Sequence, residues 1–78
     1  MIVEILSPST GRRDMLTKLQ LYEKTGVREY WIVDPKARIA QVHVLRDGLY
    51  DFEVYRDNEV VPVYVLDGCD IDLSKVFE

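Results

Sequence analysis

Three stretches of the 78-residue chain carry residue types that could do chemistry. Glu4 stands in the middle of the apolar run Ile2-Val3-Glu4-Ile5-Leu6. A carboxylate in such a run is costly unless it is paired, hydrogen-bonded or metal-bound. Alternation is the competing explanation: Val3 and Ile5 point one way, Ile2, Glu4 and Leu6 the other, and Glu4 then simply faces solvent. Lys18 is the second candidate. Counting about 100° per residue along a helix from Met15, Lys18 falls at about 300° and Asp14 at about 260°, flanking the apolar stripe and not opposing it. From there the lysine stem can lie along a helix–sheet seam with its ammonium at the open edge. Asp14 and Lys18 are also an i,i+4 pair of favourable order, so a snorkelling surface lysine oriented by Asp14 is the competing explanation. The third stretch runs from Ser7 to Arg13. Ser7, Ser9, Arg12 and Arg13 at a helix start could contact phosphate; ordinary capping accounts for them as well.

Rival chemistries are poorly supplied. His43 is the only histidine and falls in a strand pattern, where a surface position is expected. No Ser/His/Asp or Cys/His arrangement results, and there is no Gly-rich phosphate loop. Cys69 is the only cysteine. It excludes an internal disulfide framework and a multi-Cys zinc site, and fits a reducing interior as a packed or half-exposed thiol.

The elements that must position these residues are legible in the punctuation of the chain. Ile2–Leu6 reads as a buried strand ended by Ser7-Pro8-Ser9-Thr10-Gly11. Met15, Leu16, Leu19 and Tyr22 share one helical stripe, so a helix is expected over residues 12–25, capped by Thr10 or Asp14. Gly26 suits the left-handed position after its last turn, with Val27 as the apolar contact. Glu29–Asp34 is a second buried strand, stopped by Pro35. Strand, helix and strand form a βαβ unit with parallel strands and a right-handed crossover. Ile39, Val42 and Val44, then Tyr50, Phe52 and Val54, then Val61, Val63 and Val65 follow as an antiparallel meander. Tight turns are expected at Arg46-Asp47-Gly48 and Arg56-Asp57-Asn58. Residues 72–77 read as one terminal helical turn that drops Leu73 and Phe77 onto the sheet. One helix covers only one face, so the other face is expected to be covered by something absent from these 78 residues or by a second chain.

Charge is uneven. Residues 1–38 hold seven Lys/Arg and five acids, net +2; residues 39–78 hold three and nine, net −6. The whole chain, at −4, has no strongly basic nucleic-acid coat, but its first half could meet phosphate. No apolar run approaches the roughly 20 residues of a membrane helix, and the N-terminus lacks a signal-peptide pattern, so a soluble cytoplasmic chain without membrane association is expected. At this size a single core is marginal and help from a partner chain is common.

In order, Val3-Glu4-Ile5-Leu6-Ser7-Pro8-Ser9-Thr10, then Asp14, Lys18, Tyr22, Gly26-Val27 and Glu29-Tyr30-Trp31-Ile32-Val33-Asp34-Pro35 closely resemble the Uma-two family of endonucleases. That family belongs to the PD-(D/E)xK restriction-endonuclease-like superfamily. The resemblance is strong over residues 2–35 and loose over the meander. It implies metal-dependent hydrolysis of DNA phosphodiesters, with Mg²⁺ held by acids on two neighbouring strands. Glu4 matches the second acid, and the Ile5 backbone carbonyl would add a ligand. The usual E-x-K spacing would put the catalytic lysine where Leu6 stands; in this family it lies on the helix, and Lys18 matches it.

Members are longer and carry a helix and strands upstream of the Glu strand, including the first metal-binding Asp. No acid precedes Glu4 in these 78 residues. The expectation is therefore an α/β (α+β) restriction-endonuclease-like fold in truncated form: a β-α-β-β-β-β mixed sheet, one long helix on one face and a short C-terminal helical turn. Residues 1–78 would be a single partial domain lacking its N-terminal helix and strands, weak or inactive alone. The alternative is a non-catalytic homo-oligomerising module, dimer or larger. A third reading is a DNA-binding remnant using Arg12, Arg13, Lys18 and Lys24. DNA contact is expected through residues 7–24, and no small-molecule cofactor is expected.

Overall fold

The computed structural model describes residues 1–7 and 12–77, the side chains of 12 and 13 excepted. Strand β1 (Ile2–Ile5) leads to helix α1 (Arg12–Thr25), whose bounds match the expected ones. Gly26, at φ 86°, takes the left-handed turn that ends the helix. Val27 N–H then returns to the Tyr22 carbonyl at 2.9 Å, so a last-turn acceptor is satisfied. Of the proposed caps, Asp14 lies inside the first turn; Thr10 falls outside the described residues.

Strand β2 (Glu29–Asp34) runs parallel to β1, with Glu4 beside Ile32. Strand β3 (Ile39–Arg46) pairs antiparallel with β2, and β4 (Leu49–Arg56) antiparallel with β3. Asp34 shapes the first of these connections, its Oδ1 accepting from the Lys36 and Ala37 amides at 3.0 and 3.1 Å. The second turns on Asp47 (φ 52°) and Gly48 (φ 81°), the doubly left-handed geometry that matches strand twist in a two-residue hairpin. The result is a four-stranded mixed sheet in the order β1-β2-β3-β4.

The chain leaves the expected meander after Arg56. Strand β5 (Val60–Pro62) does not extend the sheet; it pairs antiparallel with β6 (Asp70–Asp72), and α2 (Leu73–Val76) follows. Pro62 has no N–H for a longer ladder. Burial is the stronger cause. Val61, Val63, Leu73 and Phe77 pack on Trp31, Val33, Ala40 and Val42 as one cluster. Residues 60–77 therefore cover the second face themselves, which overturns the expectation that an absent segment or a second chain covers it. Asp72 caps α2, its Oδ1 accepting from the Ser74 amide at 3.0 Å and hydroxyl at 2.6 Å.

A buried carboxylate ties this layer to the sheet. Glu29 is 0% exposed. It accepts from Trp31 Nε1 at 2.7 Å and from the Val65 amide at 2.9 Å. The two bonds satisfy both carboxylate oxygens inside the core. Cys69 is a free, half-buried thiol packed against the same cluster.

Candidate functional site

Alternation along β1 puts Glu4 on the face that carries α1. The carboxylate does not face open solvent: Lys18 Nζ donates to Glu4 Oε1 at 2.9 Å. The two side chains are 46% (Lys18) and 24% (Glu4) exposed. Strand β1 supplies the acid from a sheet edge, and α1 brings the base across the seam from the second helical turn. The flank position read from helical periodicity is where the ammonium reaches the strand.

Electrostatics tighten the pair. Glu4 raises the Lys18 pKa above its ordinary value, first through the hydrogen bond and then through its charge. Asp14 contributes only a weaker, longer-range attraction. The i,i+4 partner thus has a minor effect on the ammonium, which is bonded to Glu4.

Behind the pair lies an aromatic block. Tyr22, one turn beyond Lys18 on α1, meets Tyr30 edge to face at 4.9 Å. Tyr30 stacks on His43 at 5.8 Å, and His43 packs on Phe52 at 5.4 Å and Tyr50 at 5.7 Å. Burial first, then the nearby Glu4 charge, pushes the Tyr30 phenol up to about 12. His43 is 4% exposed, not a surface residue as expected. Its ring lies between rings of β2 and β4, and its Nδ1 is 3.3 Å from the Tyr30 carbonyl. A carbonyl can only accept, so Nδ1 carries the proton in that bond. Burial lowers its pKa, against the opposing effect of the carbonyl. Tyr50 locks the far end: its amide donates to Glu23 at 2.8 Å and its phenol to the Val27 carbonyl at 2.7 Å.

In the sequence Tyr22 stands out as part of a helical stripe and of the family resemblance, and neither assembles this block. The available signal was the alternation of β2 and β3, which puts Tyr30 and His43 on the Glu4 side. Glu29 is legible in the sequence as a strand start and a motif residue but not as a buried acceptor; the available signal was Glu29-x-Trp31, which places the carboxylate on the indole's face two residues away.

Of the phosphate-contact candidates, Ser7 follows β1 and is exposed. Ser9 lies outside the described residues, as do the side chains of Arg12 and Arg13. Leu16, read as part of the buried stripe, is exposed. A cavity of about 490 Å³ lies elsewhere, over β3 and β4, with no lining residue from β1 or α1.

The donor types near Glu4 suit a hard cation, since carboxylate and carbonyl oxygens are what Mg²⁺ takes. Their number does not. Among the described residues no group of three His, Cys, Asp or Glu side chains could hold a metal, and Glu4 already has a cation on one oxygen. These residues do not form a metal centre by themselves. Among the described residues no helix is long and apolar enough to cross a membrane.

The model of the Uma2 (Uma-two) family, described as "Putative restriction endonuclease", matches residues 1–74. No curated protein matches the chain. Among solved structures the chain is similar to one described as a putative nuclease belonging to DUF820 from Anabaena variabilis, with a TM-score of 0.78 at 22% identity. That similarity covers 96% of this chain and 41% of the other, so the chain spans less than half of that protein's length. At that identity the similarity shows a shared fold.

Proposed function

The chain belongs to the Uma2 family of restriction-endonuclease-like proteins, and from that premise we propose that it carries the Glu–Lys part of a metal-dependent DNA endonuclease, weak or inactive by itself. The observation that carries the reading is the 2.9 Å bond between Lys18 on α1 and Glu4 on β1. It brings together two residues fourteen apart in the chain, and they are the ones that family resemblance pairs.

In this reading Lys18 is the cation for charge developing on the scissile phosphate, which a lysine beside the reacting group stabilises. Glu4 and the Ile5 carbonyl would be hard-oxygen donors toward Mg²⁺, which in such enzymes lowers the pKa of water and neutralises phosphate charge. Further donors would have to come from outside the described residues. Ser7, Ser9, Arg12 and Arg13 would contact DNA phosphates at the start of α1.

A magnesium-dependent plasmid-nicking assay tests this on the chain, Glu4→Ala and Lys18→Ala. Nicking is expected to be weak or absent, and any that occurs is expected to vanish in both variants. Robust nicking that survives both substitutions removes the assignment.

One observation favours a second, compatible reading, a homo-oligomerising module. Strand β1 is an edge of the sheet, and on its face away from α1, Val3 is 49% and Ile5 68% exposed. An apolar edge is a template for strand addition. Sedimentation at micromolar concentration is then expected to show a dimer or larger species that Ile5→Lys dissociates. A stable wild-type monomer rejects this reading.

A further inference from the structure

Strand β4 is the edge of the sheet opposite β1, and its outward side is only partly used. Hydrogen bonds alternate along an antiparallel strand, so every second residue of β4 turns its amide and carbonyl away from β3. The Tyr50 amide shows which set this is, since it donates to Glu23. Further along the same set, the Arg56 amide donates to the Glu59 side chain at 3.0 Å, and the Arg56 carbonyl accepts from the Glu59 amide at 3.1 Å. Phe52 and Val54 belong to this set too. Between two occupied ends, their amides and carbonyls form an open stretch of sheet edge.

Side chains on this stretch divide by polarity. Phe52, 61% exposed, and Val54, 46% exposed, point to the α1 side of the sheet. Asp51 and Glu53 point to the other side, opposite Val44 and Val42. The two acids border the cavity of about 490 Å³ together with Arg46, Tyr55 and Tyr64. Arg46 brings one guanidinium against two carboxylates; it lies 3.5 Å from Asp51 and over the Tyr64 ring at 5.8 Å. The rim keeps an excess of negative charge, beside an aromatic wall that already carries a cation.

We propose that residues 51–54 take up an extended basic segment of another protein as an added strand. Its apolar side chains would lie beside Phe52 and Val54, and its lysine or arginine side chains beside Asp51 and Glu53. Backbone bonds give such an edge its affinity, and alternate side chains its selectivity. The basic stems have the cavity to lie in, against Val42, Val44 and Tyr64. A second copy of this chain is a poor occupant. Residues directly opposite on antiparallel strands share a sheet face, so a two-fold axis through the sheet falls on a residue. On Asp51 or Glu53 it sets that acid against itself; on Phe52 it sets each Asp51 against a Glu53. Like charges directly opposite are destabilising, and the same acids attract a basic strand. This surface is separate from Glu4 and Lys18 and owes nothing to their role.

Amide NMR of the whole 78-residue chain tests this with a short capped peptide of alternating lysine and valine. The peptide is expected to slow solvent exchange at the Phe52 and Val54 amides and to leave the Asp51 and Glu53 amides, already turned to β3, little changed. Neither a peptide with the same lysines and valines in separate blocks nor one alternating glutamate and valine is expected to do so. Glu53→Lys is expected to weaken binding of the lysine peptide about three- to tenfold, as a cross-strand attraction becomes a repulsion, and to admit the glutamate peptide. Val54→Pro removes one outward amide without touching the β3 ladder, which an edge strand tolerates, and is expected to weaken the lysine peptide as well. If the block peptide protects the two amides equally, or if shifts spread over the acidic surface without protecting them, the attraction is diffuse and β4 is no strand acceptor. Absence of binding at millimolar peptide overturns the proposal. So does protection of the same two amides without peptide at high protein concentration, which makes a second copy the occupant.

Discussion

Glu4 and Glu29 show two ways of accommodating an acid in an apolar strand. Glu4 reaches the helix seam and meets a lysine; Glu29 is sealed in and meets an indole N–H and an amide N–H. Glu29→Ala leaves both donors buried without an acceptor. It is expected to cost about 2–4 kcal/mol, measured by urea denaturation, with Trp31 emission moving to the red as residues 63–69 loosen. A loss no larger than that of a surface substitution means that Glu29 does not tie residues 60–77 to the sheet. His43 gives the pH dependence. Its pKa in the folded chain lies below the ordinary value of 6.5, because burial disfavours the charged ring. On acidification the unfolded chain takes up the proton first. Its contribution is intact above about pH 6.5, and stability falls from there as pH drops toward the lowered folded value. Urea midpoints across that range are expected to decline more steeply for wild type than for His43→Gln; parallel declines exclude His43 as the cause. At this scale the sequence was half legible. The Lys18 flank position followed from helical angle alone. The choice of Glu4 over Asp14 as its main partner did not, because it depends on where β1 lies relative to α1, a tertiary distance that periodicity does not contain.

The elements were read best where a local signal fixed the backbone. Gly26 ended α1 where expected, Pro35 followed the end of β2, and Asp47-Gly48 closed the β3–β4 hairpin. Gly26→Ala tests the first of these. A Cβ built at that position meets nothing within 4 Å, so the cost is the left-handed backbone alone, roughly 1 kcal/mol. That corresponds to a fall in Tm of about 4–8 °C for a domain of this size. An unchanged Tm means the turn readily adopts another conformation. The sequence missed β6 altogether and misplaced β5. The alternation Val61-Val63-Val65, of which only Val61 lies in β5, is the same whether the segment joins β4 in the sheet or crosses over its face. What decides is the apolar patch of Trp31, Val33, Ala40 and Val42 waiting on β2 and β3. Pro62 was the available warning, since a proline inside a short valine run argues against a regular inner strand.

The whole molecule is a slab, with principal extents of 34 × 33 × 15 Å. Helix α1 lies on one side of the sheet and residues 60–77 on the other. Its continuous core is on the second side, where Leu73 is among the most deeply buried side chains. Leu73→Ala is therefore expected to cost about 2–4 kcal/mol, a large fraction of the stability of so small a domain. A urea midpoint close to wild type means that the C-terminal layer is dispensable. The side that carries Glu4 and Lys18 is held differently. Its edge strand pairs in parallel with β2 only after the chain has passed through α1, whereas β2–β3 and β3–β4 close over short turns. Closing the longer loop costs more chain entropy, so β1 is expected to dock late in folding and to open first in native-state fluctuations. The amide of Leu6, bonded to the Val33 carbonyl at 2.8 Å, should exchange with solvent hydrogen faster than those linking β2 to β3. Any ligand that bridges β1 and α1 would then act as a staple on the least durable part of the fold, and its arrival would be recorded as slowed exchange in β1.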